Sequence, residues 1–440
     1  MKRSILFLIL INLFSSLTAQ YKVSGGNASP LLATQTGITE VYLLYGLSGA
    51  QISFTSSSSG THQWYRYTES IDDAIPVPCT QNGNTSVITD INGGYGYYVA
   101  SPLGTGYIWI IDYSRYIPNI SGLKVMEDEY VCKELKLIAD INMMPVYYYV
   151  SGRRYTLSRK FSLTYNNLTW DDEEKMFIQG EVKLTLDENT ISPEITVYTP
   201  PLMNTTFTLI DSFSAHFGIA QTISSGEYQA VAVEAHGFAE TDKEHAENEL
   251  HNTGDALGGS APIEYTFTAY ANEPVAAFYT WKISKLDSLT LEMKPIVWYK
   301  NEVLRYNFDK EGFYSVELEV IDRRSVCVDI TQSFKVVINN TVIKIPNAFS
   351  PGTSIGVNDE LRISFSSITS FKASVYNRQG NLLYQWSDPT KGWDGRVHGK
   401  FVPTGVYYVI VEYKDSLGKS RSMSKAVNIL RAINKPNETE

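Results

Sequence analysis

The sequence has few cysteines, few histidines and no clustered basic residues, and each shortage excludes a class of protein. Three cysteines in 440 residues cannot form the disulfide framework of a small secreted scaffold. Lys and Arg number 37 against 47 Asp and Glu, which gives a formal net charge of −10. Nucleic acids and anionic membranes bind clustered Lys and Arg, so the sequence predicts neither as a partner.

Long apolar runs are also scarce. The apolar segment 5–11 follows two basic residues and is too short for a bilayer span, which needs about 20 apolar residues. A basic start, a short apolar stretch and small residues before the cut are typical of a secretory signal peptide. We therefore predict a signal peptide over residues 1–19, cleavage between Ala19 and Gln20, and no transmembrane span.

The cysteines are too far apart in the sequence to form a local pair. Cys79, Cys132 and Cys327 fall in three different predicted domains. Export permits disulfides, so a bridge between Cys79 and Cys132 is one alternative. Because the count is odd, three buried and unpaired thiols are the favoured interpretation.

Tyrosine is abundant, at 30 residues, and hydrophobicity alternates with a period of two. Between Tyr314 and Val320 apolar side chains alternate with one serine and two glutamates. Alternation of this kind is typical of a strand with one buried face. Such segments recur from Val41 to Ile429 with turn signals between them. They predict an all-β chain of tandem β-sandwich domains.

The length suggests three or four domains, at about 100 to 150 residues each. Composition and turn signals predict boundaries at residues 20–116, 117–222, 223–341 and 342–431, with a tail at 432–440.

The first predicted domain resembles an immunoglobulin-type sandwich. Trp64 stands where that fold has its core tryptophan, and Tyr98 stands where it has a corner tyrosine. Ala100 replaces the second disulfide cysteine of the family pattern. The resemblance implies an immunoglobulin-like β-sandwich for residues 20–116.

The next two predicted domains differ in their markers. Residues 117–222 carry no family marker, and the acidic run Asp171–Glu174 is interpreted as a solvated turn. In the third domain, Gly312–Asp322 resembles the G-x-Y-x-V-x-L-x-V-x-D signature of PKD (polycystic kidney disease) domains, with Trp281 on the tryptophan-bearing strand. This resemblance implies a spacer or interaction sandwich without chemistry of its own.

The C-terminal segment carries five short blocks in a fixed order. They are Pro346–Gly352, Val357–Ile363, Val375–Asn381, Gly392–Gly395 and Pro403–Tyr408, before a closing Val427–Arg431. Together they resemble the gliding-motility-associated C-terminal domain, the type B sorting signal of the Bacteroidetes type IX secretion system. The sorting-motif residues are Pro346, Asn347, Phe349, Pro351, Asn358, Asp359, Asn377, Arg378, Gly380, Gly392, Trp393, Asp394, Gly395, Pro403, Gly405 and Tyr407.

This resemblance implies recognition by the outer-membrane export machinery after the chain has reached the periplasm. The protein would then be secreted or held at the cell surface. The chain departs from the family pattern at Gly352–Gly356, where a different loop is usual, and at residues 432–440, which follow the usual terminal arginine.

The sequence contains no motif that predicts catalysis or a cofactor. G-x-S-x-G, a phosphate-binding loop and H-E-x-x-H are all missing. His236, His245 and His251 lie among acidic residues, but the last two are six positions apart and would not share a helix face. A solvated acidic loop is favoured there over a metal site. We expect no catalytic, cofactor or metal residues, although carboxylates from distant strands could still meet.

The aromatic residues allow two interpretations. Tyr, Trp and Phe favour strands and pack across them. Runs such as Tyr147–Tyr149 and Tyr407–Tyr408 also place rings on both faces of a sheet, where outward rings can bind glycans or proteins.

The sequence therefore predicts a secreted or cell-surface protein exported by a type IX system. The favoured function is a non-enzymatic adhesin or structural component. Expected partners are the type IX machinery and a host or cell-surface protein or glycan. The alternative is an extracellular carbohydrate-binding protein or hydrolase with its site in residues 117–341.

Overall fold

The computed structural model describes residues 20–100, 106–126, 132–188, 191, 194–353, 356 and 358–431. These residues fold almost entirely as β-strands, which confirms the all-β prediction. Within these ranges, none of the helices has the length and apolar character needed to cross a membrane. Ala19 and the predicted tail 432–440 lie outside the described residues, and Gln20 begins the first strand.

The chain divides into two compact units. The first comprises Met1–Asn167, Gly180–Pro200 and Asn204–Gln229, and the second comprises Leu168–Gln179, Pro201–Met203 and Ala230–Glu440.

The strands that begin in the first unit are, in chain order, β1 (Gln20–Ser24), β2 (Leu31–Thr36), β3 (Thr39–Leu44), β4 (Gln51–Thr55), β5 (Gln63–Tyr67), β6 (Ile75–Val77), β7 (Thr80–Asn82), β8 (Thr85–Ile88), β9 (Tyr95–Ala100), β10 (Tyr107–Asp112), β11 (Asn119–Val125), β12 (Leu135–Asn142), β13 (Tyr147–Val150), β14 (Arg153–Thr156) and β15 (Lys160–Asp171). They are followed by β16 (Met176–Asp187), β17 (Ile195–Val197), β18 (Thr208–Asp211) and β19 (Ile223–Ser224). The described helical segments of this unit are two 3-10 turns, Ile71–Asp73 and Tyr113–Arg115, and α1 (Ser212–His216).

Two sheets of the first unit enclose its first core. Their strand orders are β1-β4-β8-β7 and β2-β3-β10-β9-β5-β6. β3 and β10 run parallel, whereas β9 is antiparallel to both β10 and β5. Trp64 on β5 is fully buried in this core, and its indole Nε1 donates to the Ser86 hydroxyl at 2.7 Å. Trp64 therefore occupies the core position predicted for it.

The corner tyrosine is Tyr97, so the prediction of Tyr98 is wrong. Tyr97 is fully buried, and its hydroxyl accepts from the Asn92 N–H at 2.7 Å and donates to the Asn92 carbonyl at 3.3 Å. Tyr98 is the next residue and faces the other side of the sheet, where its ring stacks on Tyr65 at 5.2 Å. A shift of one residue exchanges the two faces of a strand, which explains the error.

The other face of the six-stranded sheet is buried by a second core. Trp109 and Val41 from that sheet pack there with Tyr148, Leu157 and Phe213. The remaining sheets that contain first-unit strands have the orders β11-β12-β17, β13-β14 and β16-β15-β18-β19. The sheet β2-β3-β10-β9-β5-β6 is therefore covered on both sides.

Most of the tyrosine run Tyr147–Tyr149 belongs to this second core. Tyr148 is buried, with its hydroxyl 3.2 Å from the Thr36 hydroxyl. Tyr149 lies 5.6 Å from Trp109 between ring centroids. Tyr147 alone of the three has an exposed ring, at 40%. The run consequently packs the fold and does not form an outward aromatic platform.

The strands of the second unit are, in chain order, β20 (Ala235–Glu240), β21 (Leu257–Gly259), β22 (Ile263–Ala271), β23 (Ala276–Leu286), β24 (Met293–Tyr299), β25 (Val303–Phe308), β26 (Gly312–Asp322), β27 (Val328–Asp329), β28 (Ser333–Ile338), β29 (Val342–Lys344), β30 (Ala348–Phe349), β31 (Leu361–Arg362), β32 (Ser364–Ser366), β33 (Ile368–Tyr376), β34 (Leu382–Trp386), β35 (Gly392–Trp393), β36 (Arg396–Val397), β37 (Lys400–Phe401), β38 (Gly405–Asp415) and β39 (Ser420–Ile429). The hairpin tip Leu168–Gln179, between β15 and β16, also belongs to this unit.

One sandwich of the second unit has a tryptophan at its centre. Its sheets have the orders β20-β22-β25 and β21-β28-β26-β23-β24, with β27 paired to β26. Trp281 on β23 is fully buried with Phe267 and Phe308. On β26, residues from Tyr314 to Asp322 alternate between buried and half-buried, as the sequence pattern predicts.

The C-terminal segment forms a second, smaller β-structure within the same unit. Its main sheet has the order β30-β39-β38-β33-β34, in which β30 runs parallel to β39. Short strand pairs β29-β32, β31-β35 and β36-β37 complete it. Its core includes Phe349, Trp393 and Val409.

The cysteine predictions need correction. Cys79 carries a free thiol, and its Sγ lies 3.6 Å from the His62 carbonyl oxygen, so the Cys79–Cys132 bridge is not formed. Cys132 and Cys327 are disulfide-bonded, so the prediction of three unpaired thiols is wrong. Spacing along the sequence gives no distance in space, which is what decides pairing.

Replacing Tyr97 by Phe should destabilise the first sandwich by about 1 kcal/mol, because the ring stays buried while the Asn92 N–H loses its acceptor. Urea unfolding of the full-length protein, followed by tryptophan fluorescence, measures the change. Tyr147→Phe removes a hydroxyl from an exposed ring and should leave the midpoint almost unchanged. Equal shifts for the two variants would contradict the corner role of Tyr97.

Candidate functional site

The predicted sorting motif packs around one tryptophan of the C-terminal domain. Trp393 on β35 is fully buried. Phe349 from the first block lies 5.7 Å from it between ring centroids, and Tyr407 from the last block lies 6.0 Å away in an edge-on arrangement. Blocks that are far apart in the sequence therefore meet in a single aromatic cluster.

Two glycines of the Gly-Trp-Asp-Gly block allow this packing. A Cβ on Gly392 would lie 2.6 Å from the Leu361 carbonyl oxygen, on the strand that pairs with β35. A Cβ on Gly395 would lie 2.8 Å from Cγ of Pro351, and the φ of Gly395 is +76°. Larger residues at either position would push the neighbouring strand or Pro351 away from Trp393.

Hydrogen bonds close the turn that follows Trp393. The Asp394 carboxylate accepts from the Arg396 N–H at 3.0 Å, and the Trp393 indole donates to the Arg396 carbonyl at 2.9 Å. The carbonyl of Gly395 accepts from the Val402 N–H at 3.0 Å. Asp394 is exposed and serves the turn from outside the core.

The third block forms the hairpin turn that its sequence predicts. The Asn377 side-chain oxygen accepts from the N–H groups of Gln379 at 3.0 Å and Asn381 at 2.9 Å. Gly380 has a φ of +84°, which glycine adopts without strain. Arg378 is exposed at the tip of this turn.

The last block forms the start of β38 and fixes it with a tyrosine hydroxyl. The Tyr407 hydroxyl donates to the Pro403 carbonyl at 2.8 Å, and the Tyr407 ring is buried. Gly405, between them, has a φ of +146° and begins the strand.

The first block pairs with the last strand of the domain. Pro346 is half-buried, and the Asn347 carbonyl accepts from the Asn428 N–H at 2.9 Å. Phe349 lies on β30, which pairs with the closing strand β39. The exposed Asn347 side chain takes no part in the aromatic cluster.

The second block supplies turn geometry. Asn358 has a φ of +55°, and its carbonyl accepts from the Ser350 N–H at 2.6 Å. The Asp359 carboxylate accepts from the Gly356 N–H at 3.0 Å. These residues shape the loop, and Asn358 is exposed.

A buried carboxylate, Glu249, in a loop of the second unit was not predicted. Glu249 accepts from Lys243 Nζ at 2.9 Å, and its second oxygen lies 3.4 Å from both His245 Nδ1 and the Ala246 N–H. Burial raises the pKa of Glu249, but hydrogen bonds from Lys243 and Ser260 and the Lys243 charge outweigh it and hold that pKa below its ordinary value. The solvated-loop interpretation is therefore wrong for Glu249.

The same loop packs against the C-terminal domain. The Asn248 side chain donates to the carbonyls of Ile363 and Pro389, each at 2.8 Å. The Leu250 N–H donates to the Phe365 carbonyl at 2.7 Å. These contacts join residues more than 100 positions apart, and a local sequence pattern carries no signal for them.

The histidines of this region do not assemble a metal site. The rings of His245 and His251 stack at 4.4 Å, whereas His236 bonds to Glu234 at 2.8 Å. Across the described residues, no group of three or more His, Cys, Asp and Glu side chains is arranged to hold a metal ion.

Two polar clusters resemble parts of catalytic constellations but are buried. His62 lies 2.8 Å from the Ser86 hydroxyl and 3.0 Å from the Ser56 hydroxyl, and burial lowers the His62 pKa. All three side chains are shielded from solvent. A substrate has no access to this cluster, so it serves the core.

The second cluster is centred on a helix cap. The Asp211 carboxylate accepts from the Ser214 N–H at 2.8 Å and from the Tyr113 hydroxyl. Burial, followed by the hydrogen bond and charge of Asp211, raises the pKa of Tyr113. These side chains are also buried, and the cluster fixes α1 to the core.

One concave site lies on the surface of the second unit and is here called the Tyr279 groove. It has two lobes of about 450 Å³ and 1060 Å³ that share Tyr279, Glu302 and Val303. The smaller lobe is lined by Trp170 and Tyr270 among other residues. The larger lobe runs past Phe278, Asn301 and Glu319 on the outer face of the sheet. Sequence reasoning placed an alternative site in residues 117–341 but could not identify these side chains.

Comparisons with known families match two parts of the chain. Residues 343–427 match the CHU_C type IX secretion signal domain, which confirms the resemblance found in the C-terminal blocks. Residues 124–225 match a fibronectin type III domain, in the segment where no family marker was recognised. No curated protein matches the sequence.

Several solved structures are similar to the chain at low sequence identity. Chicken CNTN1 FN1–FN3 is 11% identical over 71% of this chain and 99% of its own, with a TM-score of 0.22. Three N-terminal domains of the bacteriophage RB49 Hoc protein are 9% identical over 73% and 100%, with a TM-score of 0.20. A bacterial ice-binding adhesin is 9% identical over 72% and 99%, also with a TM-score of 0.20.

The C-terminal match has a direct consequence for location and partner. A type IX secretion signal domain implies interaction with the secretion machinery and export to the cell surface or the medium. The chain is thus a secreted, multi-domain surface protein.

Gly395→Ala should destabilise the C-terminal domain by about 3 kcal/mol, because it combines a disfavoured φ with a clash against Pro351. Gly380→Ala is the matched control: its φ is +84° but nothing lies within 4 Å of the new Cβ. The control should cost only about 1 kcal/mol. Denaturant unfolding of the full-length variants distinguishes these values, and an equal cost would show that packing at Gly395 is unimportant.

Glu249→Gln should destabilise the second unit by about 2 kcal/mol at neutral pH, because Lys243 loses a charged acceptor. The folded-state pKa of Glu249 is lowered from 4.5, so its stabilisation is complete above that pH and is lost as the pH falls through the folded-state value. The difference between wild type and variant should therefore shrink in acid.

Chemical unfolding at neutral and acidic pH tests this dependence. Glu244→Gln is the control, because Glu244 is exposed in the same loop. A constant difference at all pH values would rule out the assigned role of the Glu249 charge.

Proposed function

We propose that this chain is a non-enzymatic adhesin or structural component of the cell surface. The observation that carries the proposal is the match of residues 343–427 to a type IX secretion signal domain. The packing of the separate blocks around Trp393 supports it, because that cluster gives the signal a folded form. The expected ligand is a protein or glycan of a host or cell surface.

The upstream part suits a spacer or interaction role. Residues 124–225 are similar to a fibronectin type III domain, and such domains are typically non-catalytic. We propose domain boundaries at 20–116, 117–222, 223–341 and 342–431, with residues 1–19 as a cleaved signal peptide. The buried Trp281 and the alternating burial of β26 support a PKD-like third domain.

Among the described residues, the clusters that combine histidine or tyrosine with serine and aspartate are buried, which supports the non-enzymatic role. The two clusters that pair histidine or tyrosine with serine and aspartate are enclosed in the first unit's cores. General acid–base or nucleophilic groups must reach a substrate to act on it.

The Tyr279 groove favours a second candidate, a carbohydrate-binding protein or hydrolase with its site in residues 117–341. The groove offers aromatic rings beside carboxylates, the two kinds of group that such proteins use. Carbohydrate binding without hydrolysis is consistent with an adhesin. Hydrolysis of the bound carbohydrate would identify the protein as a hydrolase instead.

Deleting residues 342–440 should leave the protein in the periplasm of the cell that makes it, because the module read by the export machinery is gone. Fractionation into periplasm, cell surface and medium, with immunodetection of an upstream domain, measures this. Trp393→Ala should reduce export strongly, since its aromatic cluster would collapse. Tyr408→Ala, at a ring 48% exposed on β38, is the control. Normal surface delivery of the truncated chain would refute the sorting role.

A further inference from the structure

One wall of the Tyr279 groove is a stack of rings held in place by its neighbours. Trp170 stacks on His236 at 4.1 Å with the ring planes 7° apart. His236 in turn lies 2.8 Å from the Glu234 carboxylate. Lys175, on the same hairpin tip as Trp170, pairs with Glu240 at 3.1 Å. The wall is thus held by contacts within the fold, and its lysine is ion-paired.

Glu302 stands on a fixed turn where the two lobes meet. Its carbonyl accepts from the Ala269 N–H at 2.9 Å and from the Trp281 indole at 3.2 Å. Trp281 is fully buried, so the backbone of this turn is tied to the core. With the described part of the chain, the Glu302 carboxylate itself forms neither a hydrogen bond nor an ion pair.

Glu273 stands on a second fixed turn beside the smaller lobe. Asn272, its neighbour, is fully buried and donates to the carbonyls of Leu202 at 2.7 Å and Ala232 at 2.9 Å. Its side-chain oxygen accepts from the Glu234 N–H at 2.9 Å. The Glu273 carboxylate is exposed and, among the described residues, unpaired.

Tyr279 lines the smaller lobe together with both carboxylates and keeps its proton. Burial, followed by the charges of Glu302 and Glu273, raises the pKa of Tyr279 to about 12. Its hydroxyl makes no hydrogen bond to any residue that the structure describes. A neutral phenol and two carboxylates therefore line one groove, and none of the three pairs with a residue in the described ranges.

The larger lobe adds apolar area and more acceptors. Phe278 is 53% exposed beside Tyr279, and Asn301 and Glu319 lie along the same lobe. A ligand gains affinity when its apolar faces displace poorly ordered water from exposed rings and when its donors replace the water bound to unpaired acceptors. The lobes together exceed the volume of a typical small-molecule pocket, which indicates an extended ligand.

We propose that the Tyr279 groove binds a neutral oligosaccharide. Sugar rings present apolar C–H faces that fit aromatic side chains, and their edges carry hydroxyl donors that fit Glu302 and Glu273. A chain of such rings matches a groove in which aromatic and acceptor groups run through two joined lobes. A small ammonium ligand would pair with the carboxylates but leave most of the larger lobe empty.

This inference rests on the proposed function for its biological meaning, because it names the ligand class of the adhesin. Its test uses the purified full-length protein and no export step. Failure to bind would therefore leave the sorting result untouched, and failure of export would leave the binding result untouched.

Isothermal titration with cellohexaose, maltohexaose, xylohexaose and chitohexaose should reveal saturable binding of at least one of them. Glu302→Gln should weaken that binding by about tenfold, because a charged acceptor is replaced by a weaker one of the same shape. Tyr279→Phe should weaken it by a smaller factor. The affinity should change little with NaCl concentration, since the ligand carries no charge.

Glu264→Gln is the matched control, because Glu264 is an exposed carboxylate on β22 outside the groove. It should bind as wild type does. The proposal would be overturned if none of the four sugars bound or if the control variant lost as much affinity as Glu302→Gln. Salt-sensitive binding of choline in place of sugars would also overturn it. Release of shorter sugars during incubation would support the groove as a sugar site and replace the adhesin by a hydrolase.

Discussion

Three sandwich cores of this chain depend on one interaction, a buried tyrosine whose hydroxyl donates to a carbonyl a few residues upstream. The pairs are Tyr97 with Asn92 at 3.3 Å, Tyr314 with Lys310 at 2.7 Å, and Tyr407 with Pro403 at 2.8 Å. A phenol ring can enter a core only if its hydroxyl finds a partner there. A carbonyl in the loop that precedes the strand supplies that partner. The hydrogen bond therefore fixes this loop to the first residues of a core strand. Gly312 and Gly405, with φ of +141° and +146°, stand two residues before their tyrosines and let the chain enter at the required angle. Three of the 30 tyrosines therefore fix the entry of a strand into its core.

Local sequence patterns predicted the burial of two tryptophans but misplaced a tyrosine. Trp64 and Trp281 were placed correctly because the family patterns that the chain resembles place the tryptophan of each of these strands in the core. Tyr98 was placed wrongly because its strand β9 lies in a sheet with a core on each face. Alternation then gives two apolar faces and does not tell which one carries the corner tyrosine.

Local sequence patterns could not predict contacts between segments that are distant in the sequence. The segment around Glu249 has the composition of a solvated loop, yet Asn248 and Leu250 bond to the strand region near Phe365. Likewise, the Tyr279 groove draws its wall from the hairpin tip at Trp170 and its carboxylates from turns about 100 residues later. Each of these residues is unremarkable in its own neighbourhood, so only the folded chain identifies the group.

The sorting blocks illustrate how a recognisable sequence can describe a fold more than a contact surface. Phe349, Gly392, Trp393 and Tyr407 are buried, so they cannot touch a partner of the folded domain. The motif residues Asn347, Arg378 and Asp394 are exposed, but Asp394 already serves a turn. The blocks are therefore needed chiefly to build the domain. The machinery that recognises the domain must contact its exposed turns and strand edges. Because a fold of this kind tolerates surface change better than loss of a buried aromatic ring, the departures at Gly352–Gly356 are compatible with an intact Trp393 cluster.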